Sequence, residues 1–245
     1  MNNEINKVIV FDLDHTIGDF FVIGLIWNFM KKTIGTLNQY DFNIICSLFP
    51  EIVRFNIIPI LNYIHVRINI TSSIKVLIYT NNKGGKNWID MIIGYIESKM
   101  DSNIIYKIIE NKNKKSYKDL IHKSHIPRSA KILFIDDYYH SYMKHEKVTY
   151  LNIKKYNFYV NNDILINTIT NSEYINRKIP INMRNQFKSL FKNYVIKNNR
   201  NNNKKDSEKR VDHIVSRMIL NYVRTFLNEE NTKTRKNRKR LIING

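Results

Sequence analysis

The chain has 245 residues, of which 43% are hydrophobic and 12% aromatic, and its formal net charge is +19. This much apolar surface can offset the entropy lost on folding, so the composition excludes a chain that is disordered over most of its length. The length fits one core with additions, because a single core usually takes up about 100 to 200 residues. The charge favours polyanionic partners, but a lysine-rich coding bias produces the same excess and the charge alone identifies no ligand.

Cysteine use and hydropathy indicate an intracellular protein, cytoplasmic or nuclear, with no membrane partner. The single cysteine, Cys46, cannot form a disulfide within the chain and lies in an apolar run, so we expect a buried structural thiol. The sequence opens with no signal-peptide pattern. Its most apolar stretch, from Phe20 to Met30, is shorter than the roughly 20 residues that a membrane-spanning helix needs.

Five short runs rich in β-branched residues are predicted to be strands. They are almost continuously apolar, as in parallel strands that are buried on both faces, and the segments between them can hold crossover helices. The predicted fold is therefore an α/β doubly wound parallel sheet. In chain order the runs are Lys7 to Phe11, Lys75 to Tyr79, Ile104 to Ile109, Lys131 to Ile135 and Val148 to Leu151.

The additions to this sheet are predicted to be helical. Within a core domain at 1–160, residues 17–74 form an insertion with apolar residues at helical spacing, which is too long for a simple crossover. A helical extension follows at 161–197. The polar stretch at 198–205 is predicted to be a flexible linker, and 206–245 to be a second amphipathic helix with a basic tail.

The carboxyl-terminal segment carries much of the positive charge. From Lys197 to Arg240 there are 14 Lys or Arg against 5 Asp or Glu, and the run from Thr232 to Arg240 is the most basic part. Such a segment can dock on nucleic acid or on an acidic partner. A basic run at a terminus is nevertheless most often solvated, or a localisation signal, so both interpretations stay open.

Polar side chains follow three of the predicted strands at the point where each strand ends. Because open α/β sheets bind ligands at the carboxyl ends of their strands, we expect these side chains to share one crevice. Carboxylates gathered there repel one another unless a proton or a cation lies between them. Mg²⁺ fits, since it takes oxygen ligands and no cluster of His and Cys suits a softer metal. The residues are Asp12 and Asp14, then Thr80, Asn81 and Asn82, then Asp136 and Asp137.

A lysine between the second and fourth of these strands is predicted to complete the crevice. Lys118 lies where the start of a helix can aim its ammonium group at the carboxylates and at a bound phosphate. Lys112, Lys114 and Lys115 compete with it for this role, and any of the four can instead be solvated surface charge.

The order DLDHT, YTN, a lysine and IDD resembles the four motifs of the haloacid-dehalogenase superfamily. Within it, DLDHT, YKDL and FIDD are similar to the phosphatases of the NLI-interacting-factor and carboxyl-terminal-domain phosphatase group. GLIWNF, ILNYI, IYTNNKGGKNW, IDDYYH and MKHEKV further resemble phosphatase-like proteins of large nucleocytoplasmic DNA viruses. The resemblance covers about residues 7 to 156 and implies a location in the host cytoplasm or a viral factory.

This resemblance implies a phosphatase that works through an aspartyl-phosphate. Asp12 would be the nucleophile, and Asp14 the general acid for the leaving oxygen and then the base for the hydrolytic water. Thr80, together with Asn81, would bind the phosphoryl oxygens, while Lys118 would neutralise their charge.

The resemblance also implies the magnesium ligands. They would be the Asp12 carboxylate, the Asp14 backbone carbonyl and either Asp136 or Asp137. Family members with Asp-Asn in the last motif use its second position, which favours Asp137.

Two departures from the family pattern concern the substrate. His15 stands where many family phosphatases have Glu, and we expect it to point away from the substrate. Residues 17–74 have a helical pattern rather than that of the small β insertion of cellular carboxyl-terminal-domain phosphatases, so a phosphoserine peptide is not carried over as the substrate.

The remaining polar and aromatic residues near the acidic pair are expected to have structural roles. We expect His140 and His145 to lie at the surface or to cap a turn, with a place at the rim of the crevice as the alternative. Tyr138, Tyr139 and Tyr142 are expected to pack at the edge of the sheet, with stacking on a nucleotide base as the alternative.

The hypothesis that follows is a Mg²⁺-dependent phosphoric monoester hydrolase that acts on a phosphoprotein or a nucleotide-type ester. A nucleic-acid 3′-phosphatase is the alternative that the basic tail suggests. A catalytically silent protein of the same fold, which binds nucleic acid or an acidic partner, is the alternative outside the enzyme class.

Overall fold

The centre of the molecule is a sheet of five parallel strands. The computed structural model describes the backbone of residues 5–243 and the side chains of residues 5–229. The strands lie in the order β3-β2-β1-β4-β5 and each neighbouring pair is parallel, which confirms the predicted α/β architecture and makes the fold Rossmann-like. Their bounds are β1 Lys7–Phe11, β2 Ile74–Thr80, β3 Ile105–Glu110, β4 Lys131–Asp136 and β5 Val148–Asn152.

Helices flank this sheet, and the insertion between the first two strands is helical as predicted. Three helices and a short 3-10 turn at Pro50–Ile52 make up the insertion. The helices are α1 Phe21–Ile34, α2 Gln39–Ser47, α3 Ile57–Ile70, α4 Lys86–Ser98, α5 Tyr117–Ser124, α6 Asn162–Thr170, α7 Glu173–Lys178, α8 Arg184–Asn198 and α9 Asp206–Ile243.

The central strand β1 is buried on both faces, as its continuous apolar sequence predicted. Val8 and Val10 pack into a smaller core on one side of the sheet, while Ile9 and Phe11 pack into a larger core on the other. This follows from the alternation of side chains along a strand. A strand covered by hydrophobic residues on both faces is a rigid base for residues that follow its carboxyl end.

The register of the central strands decides which residues meet at that end. Phe11, the last residue of β1, lies opposite Ile78 of β2 and Ile135 of β4. The polar residues after these positions therefore emerge side by side. The backbone N–H of Asp12 donates to the Ile135 carbonyl at 2.9 Å, which continues the ladder one residue beyond β1.

The carboxyl-terminal helices share the larger core with the sheet. Phe191 and Val195 of α8 and Ile219 and Val223 of α9 are buried in the same hydrophobic cluster as β1. An amphipathic helix has to bury its apolar face, and here the surface that covers it is the core itself. The core thus continues across the position near residue 160 where the sequence suggested that an appendage begins.

Apart from Asn198, which ends α8, the stretch predicted to be a flexible linker has no regular secondary structure, but polar contacts hold it against the domain. The Asn199 amide donates to the Val160 carbonyl at 3.0 Å, and Asn201 accepts from the backbone N–H of Asn162 at 3.0 Å. Lys204 forms an ion pair with Asp212 of α9. A low content of apolar residues therefore does not mean that this segment lacks contacts with the rest of the domain.

Three further expectations concern hydropathy and the chain end. Cys46 is buried, and burial raises the pKa of its thiol, as expected for a structural cysteine. Within residues 5–243, no helix has both the length and the apolar character that crossing a bilayer requires. The basic run from Thr232 to Arg240 lies outside the residues whose side chains the structure describes.

Candidate active site

A cavity of about 1200 Å³ opens at the carboxyl ends of the central strands. It is lined by most of the side chains that the sequence placed in one crevice, so that prediction of proximity is confirmed. The predicted crevice residues that line it are Asp12, Asp14, Thr80, Asn81, Asn82, Asp136 and Asp137. Lys118 is the exception.

Lys115, not Lys118, is the lysine that contacts the carboxylates of the crevice. The Lys115 side chain is 2% exposed, and its Nζ atom lies 2.5 Å from Asp12 Oδ1 and 2.7 Å from Asp136 Oδ2. Lys118 lies on the first turn of α5, exposed and outside the cavity wall. The prediction of Lys118 as the phosphate-binding lysine is therefore wrong in this structure.

The start of α5 explains this difference. The Ser116 hydroxyl accepts from the backbone N–H of Asp119 at 3.1 Å, so Ser116 is the N-cap and the helix begins at Tyr117. Lys115 precedes the cap and belongs to the loop after β3, which crosses toward β1 and β4. The pattern of Ser followed three residues later by an acidic residue is a helix-start signal that distinguishes the two lysines.

Burial and mutual repulsion set the protonation of the crevice. Burial raises the pKa of Asp12 to about 7, and the negative charges of Asp136 and Asp137 act in the same direction while Lys115 opposes them. Burial also raises the pKa of Asp14, against a hydrogen bond from Asn82. The site thus holds carboxyl groups that resist ionisation unless more positive charge is present.

The pKa values of Asp136 and Asp137 shift in opposite directions although the two residues are neighbours in sequence. Burial acts to raise the pKa of Asp136, but hydrogen bonds from His140 and Lys115 outweigh it and lower that pKa. The other Asp136 oxygen accepts from the backbone N–H of Tyr138 at 2.8 Å. Burial and the charge of Asp136 raise the pKa of Asp137. Both Asp136 oxygens are therefore engaged with the protein.

The carboxylates of Asp12, Asp136 and Asp137 can hold a cation. Each offers one oxygen, and these three oxygens lie within 4.8 Å of one another. An all-oxygen set suits a hard ion such as Mg²⁺ rather than a thiophilic metal. Asp137 is the freer of the last two, because its side chain accepts from the Thr16 hydroxyl at 3.2 Å while Asp136 has three donors.

The end of β2 contributes Thr80 and, just after it, Asn82, for which the sequence predicted a place in the crevice but no specific role. Thr80 is buried in the cavity wall, and its hydroxyl accepts from the backbone N–H of Asn82 at 3.1 Å. The Asn82 amide donates to Asp14 Oδ2 at 2.7 Å and so orients that carboxyl group. Asn81 also lines the cavity, but its amide donates to the Asn113 carbonyl at 2.6 Å, which occupies the group expected to bind phosphate.

No protein-family model, curated protein or solved structure matches this chain. What is established about it is therefore the fold, a five-stranded parallel sheet flanked by helices, and the geometry of the crevice. The interpretation of the site depends on the chemistry of the side chains gathered there.

The histidines near the crevice do not all behave as expected. His140 lines the cavity with Nε2 at 3.3 Å from Asp136 Oδ2, so the surface or capping role expected for it is wrong. His145 stacks on Tyr117 at 3.7 Å and accepts from the backbone N–H of Lys147, which agrees with a capping role. His15 lines the cavity, and its Nδ1 lies 2.8 Å from the Tyr156 carbonyl, the acceptor of this contact.

Three tyrosines expected to pack at the sheet edge lie at the cavity mouth, and of these Tyr139 also stacks on Tyr150 of the edge strand β5, as expected. Tyr138, Tyr139 and Tyr142 are 71%, 57% and 62% exposed, and all three line the cavity. They follow β4 in a loop whose path is not encoded in any periodic pattern, so their position at the mouth could not be predicted.

A buried arginine supports the loop after β1, and sequence reasoning gave it no role. Arg54 is 1% exposed; its Nε donates to the Thr16 carbonyl at 2.6 Å, and its Nη2 donates to the carbonyls of His15 and Lys154 at 2.7 and 2.9 Å. The same loop approaches the insertion closely, because a Cβ on Gly18 would clash with the Ile52 carbonyl oxygen. Arg54 comes from the insertion, which therefore shapes the crevice.

Proposed function

We propose that this chain is a Mg²⁺-dependent phosphoric monoester hydrolase of the haloacid-dehalogenase type, with Asp12 as nucleophile. The observation that supports it is the set of carboxylates of Asp12, Asp136 and Asp137 gathered around the buried ammonium group of Lys115. Buried carboxylates lower stability, so a cluster of them is typical of a site that binds a cation or carries out catalysis. Their place at the carboxyl ends of parallel strands is where such sheets bind substrates.

Asp12 has the position of a nucleophile at the bottom of the cavity. Its carboxylate would attack phosphorus and break the bond to the ester oxygen, which leaves an aspartyl-phosphate. Lys115 favours the ionised carboxylate that this attack requires. Burial works against ionisation, so additional positive charge would increase the reactive fraction near neutral pH.

Asp14 is suited to donate and then accept a proton. Burial raises its pKa, which favours the protonated form that a general acid needs. It would protonate the departing ester oxygen and then take a proton from the water that attacks the aspartyl-phosphate, releasing inorganic phosphate. Asn82 holds one Asp14 oxygen, so the other stays available for this transfer.

Thr80 and Lys115 are suited to bind the phosphoryl group. The Thr80 hydroxyl reaches the cavity from the end of β2, and Lys115 can neutralise charge on the phosphoryl oxygens. Bound Mg²⁺ would add positive charge beside Asp12 and the phosphoryl oxygens. The side chains of Asp12 and Asp137, with the Asp14 carbonyl, would hold it.

Hydrolysis of p-nitrophenyl phosphate with Mg²⁺ tests the proposal. We expect turnover by the wild-type chain and a loss of at least about 1000-fold in Asp12→Asn, because an amide cannot attack phosphorus. Asp90→Asn, which changes an exposed aspartate of α4, is the matched control and should keep full activity. Thermal melting and circular dichroism would verify that both variants fold. Equal turnover in folded Asp12→Asn protein would refute the proposal.

A further inference from the structure

The mouth of the cavity differs in chemistry from its bottom. We define the mouth as Tyr138, Tyr139 and Tyr142 on the loop after β4 together with Lys112 and Lys114 on the loop after β3, all of which line the cavity. Among the described lining residues the acidic ones belong to the bottom. A ligand therefore meets ring faces and ammonium groups first and the carboxylates last.

The tyrosines form a supported aromatic surface. The Tyr139 ring is stacked on the Tyr150 ring, with 5.6 Å between centroids and 6° between planes, yet Tyr139 is 57% exposed. The Tyr150 hydroxyl donates to the Tyr138 carbonyl at 2.7 Å and accepts from the backbone N–H of His140 at 2.9 Å. These contacts fix the loop, so its rings are exposed without being loosely held.

The lysines face this aromatic surface from the other side of the mouth. Lys114 Nζ lies 5.9 Å from the Tyr142 ring centroid, so the loops after β3 and β4 come together there. Lys112 and Lys114 are exposed, whereas Lys115 is buried against Asp12 and Asp136. The mouth thus offers positive charge in addition to the charge that a single phosphate at the bottom would use.

We propose that the mouth binds the phosphorylated end of a single-stranded nucleic acid, with its terminal phosphomonoester at Asp12. This rests on the proposed phosphatase function. A nucleic acid repeats a flat ring and a negative charge in every residue, and exposed rings beside lysines are how proteins hold single strands without reading sequence. A phosphopeptide repeats neither feature. The net charge of +19 also attracts a polyanion.

The size of the cavity agrees with a polymer end. Small-molecule sites typically enclose about 300 to 1000 Å³ and bury most of their ligand. This cavity of about 1200 Å³ lies beyond that range and has three exposed tyrosines at its opening. Residues beyond the terminal nucleotide can therefore reach the mouth.

A comparison of three substrates tests the proposal. They are p-nitrophenyl phosphate, a phosphoserine peptide, and a short oligothymidylate that carries its phosphate at the 5′ or the 3′ end. Stacking of one base corresponds to a factor of about 5 to 150 in affinity. We expect kcat/KM on one of the oligonucleotides to exceed that on the peptide by at least about tenfold.

Variants of the mouth make the test specific. In the double variant Tyr138→Ala with Tyr139→Ala, the ratio of kcat/KM on the oligonucleotide to that on p-nitrophenyl phosphate should fall by at least about fivefold. Replacement of both residues by Phe should restore the ratio, because stacking needs the ring and not the hydroxyl. Tyr106→Ala is the matched control, since Tyr106 is 51% exposed, lies 5.3 Å from a lysine and is outside the cavity.

Binding provides a readout that is independent of turnover. A fluorescent phosphorylated oligothymidylate should bind the Asp12→Asn chain with an affinity that falls as salt rises. The double variant Lys112→Gln with Lys114→Gln, built on Asp12→Asn, should reduce that salt slope by roughly 1 to 1.5, as expected for two phosphate contacts to a single strand. Lys118→Gln on the same background should leave the slope unchanged.

The outcomes separate this inference from the proposed function. If p-nitrophenyl phosphate is hydrolysed but the phosphopeptide is preferred, or the tyrosine variants affect all substrates equally, the nucleic-acid inference is overturned and the phosphatase proposal stands. If no phosphate ester is hydrolysed, the phosphatase proposal fails. Salt-dependent oligonucleotide binding that the lysine variants weaken would in that case still support the mouth as a nucleic-acid site.

Discussion

Lys115 and Arg54 are both buried cations that contact the segment after β1, but their partners differ. Lys115 is paired with the carboxylates of Asp12 and Asp136. Arg54, from the insertion, donates instead to backbone carbonyls of the segment after β1 and of Lys154. The carboxylates around Lys115 can therefore bind a metal ion as well as the lysine. The backbone carbonyls around Arg54 accept hydrogen bonds from the protein itself.

The difference separates a site built for a ligand from a site built for rigidity. A phosphate or a metal ion that enters the crevice can take over part of the charge balance around Lys115. Backbone carbonyls bound by Arg54 have no such alternative, so this contact holds the loop in one shape. The carboxyl groups differ by how fully the protein satisfies them: burial raises the pKa of Asp137 in the crevice, whereas hydrogen bonds lower the pKa of Asp41 in the helical layer and of Asp136 beside Lys115.

The sharpest test of this division is Lys115→Met, which should reduce kcat/KM on p-nitrophenyl phosphate by about 100-fold to about 1000-fold. Loss of one group that stabilises transition-state charge has an effect of this size. Lys118→Met is the matched control and should leave kcat/KM unchanged, because that side chain is exposed outside the cavity. A large loss in Lys118→Met with normal activity in Lys115→Met would reverse the assignment of the two lysines.

Arg54→Met should lower the stability of the fold, whereas Lys115→Met should lower turnover. The Arg54 substitution removes the donor of the Thr16 and Lys154 carbonyls, whereas the His15 carbonyl keeps the backbone N–H of Tyr156 at 2.8 Å. Each unsatisfied buried group costs about 1 to 3 kcal/mol. Allowing for relaxation of the loop, we expect the free energy of unfolding to fall by about 3 kcal/mol in urea titrations.

Arg67→Met on α3 is the control for this change. Arg67 donates to Asn228 at 3.1 Å in an exposed contact, so its loss should stay within about 0.5 kcal/mol. Equal losses in the two variants would show that the buried position of Arg54 adds nothing to its contribution.

The strands and their shared edge could be predicted because both depend on local patterns. Continuous apolar runs placed β1 at Lys7–Phe11, as observed, and the other strands to within one residue at each end. The crevice followed from strand direction alone: residues after parallel strands emerge at one edge. No contact between distant residues had to be known in advance.

What the sequence could not provide depends on loop paths and packing partners. Lys115 and Lys118 differ only in their position relative to the start of α5, which the Ser116 cap decides. His140 reaches Asp136 because the loop after β4 turns back over the crevice. The apolar face of α9 was visible as a pattern, but the core that covers it was not.

Magnesium binding tests whether the crevice lacks positive charge. Burial raises the folded-state pKa of Asp12 from 3.8 to about 7, so the proton on Asp12 stabilises the metal-free fold below about pH 4, and this contribution is lost as the pH rises through 7. Mg²⁺ requires the ionised carboxylate. We therefore expect it to raise the Tm more at roughly pH 8 than at roughly pH 6.

At about 100 times its Kd, Mg²⁺ should add about 2.7 kcal/mol to the free energy of unfolding. Asp137→Asn should lose most of this gain, since Asp137 is the freer of the two neighbouring carboxylates. Asp90→Asn should keep it. A Tm shift that is independent of pH and survives Asp137→Asn would place the ion elsewhere.

Asp41 provides the smallest test, on the rigid side of the comparison. It accepts from the Asn38 backbone N–H at 3.0 Å, from the Tyr174 hydroxyl at 3.0 Å and from Lys178 at 2.9 Å. Burial acts to raise its pKa, but the bonds from Asn38, Lys178 and Tyr174 outweigh it and lower that pKa. Its ionised form therefore stabilises the fold above its ordinary pKa, and this contribution is lost as the pH falls through the folded-state value.

Asp41→Asn should consequently lower the free energy of unfolding by about 1 kcal/mol at neutral pH. The gap to the wild type should narrow as the pH falls toward the lowered pKa, because the wild-type carboxyl group then also becomes neutral. Urea titrations at several pH values would measure this, with the exposed Asp90→Asn as the control. If the difference in free energy of unfolding between the wild type and Asp41→Asn were the same at all pH values, the shape of the Asp41 side chain rather than its charge would account for its contribution. In that case the hydrogen bonds to Asp41 would not compensate the cost of burying its charge.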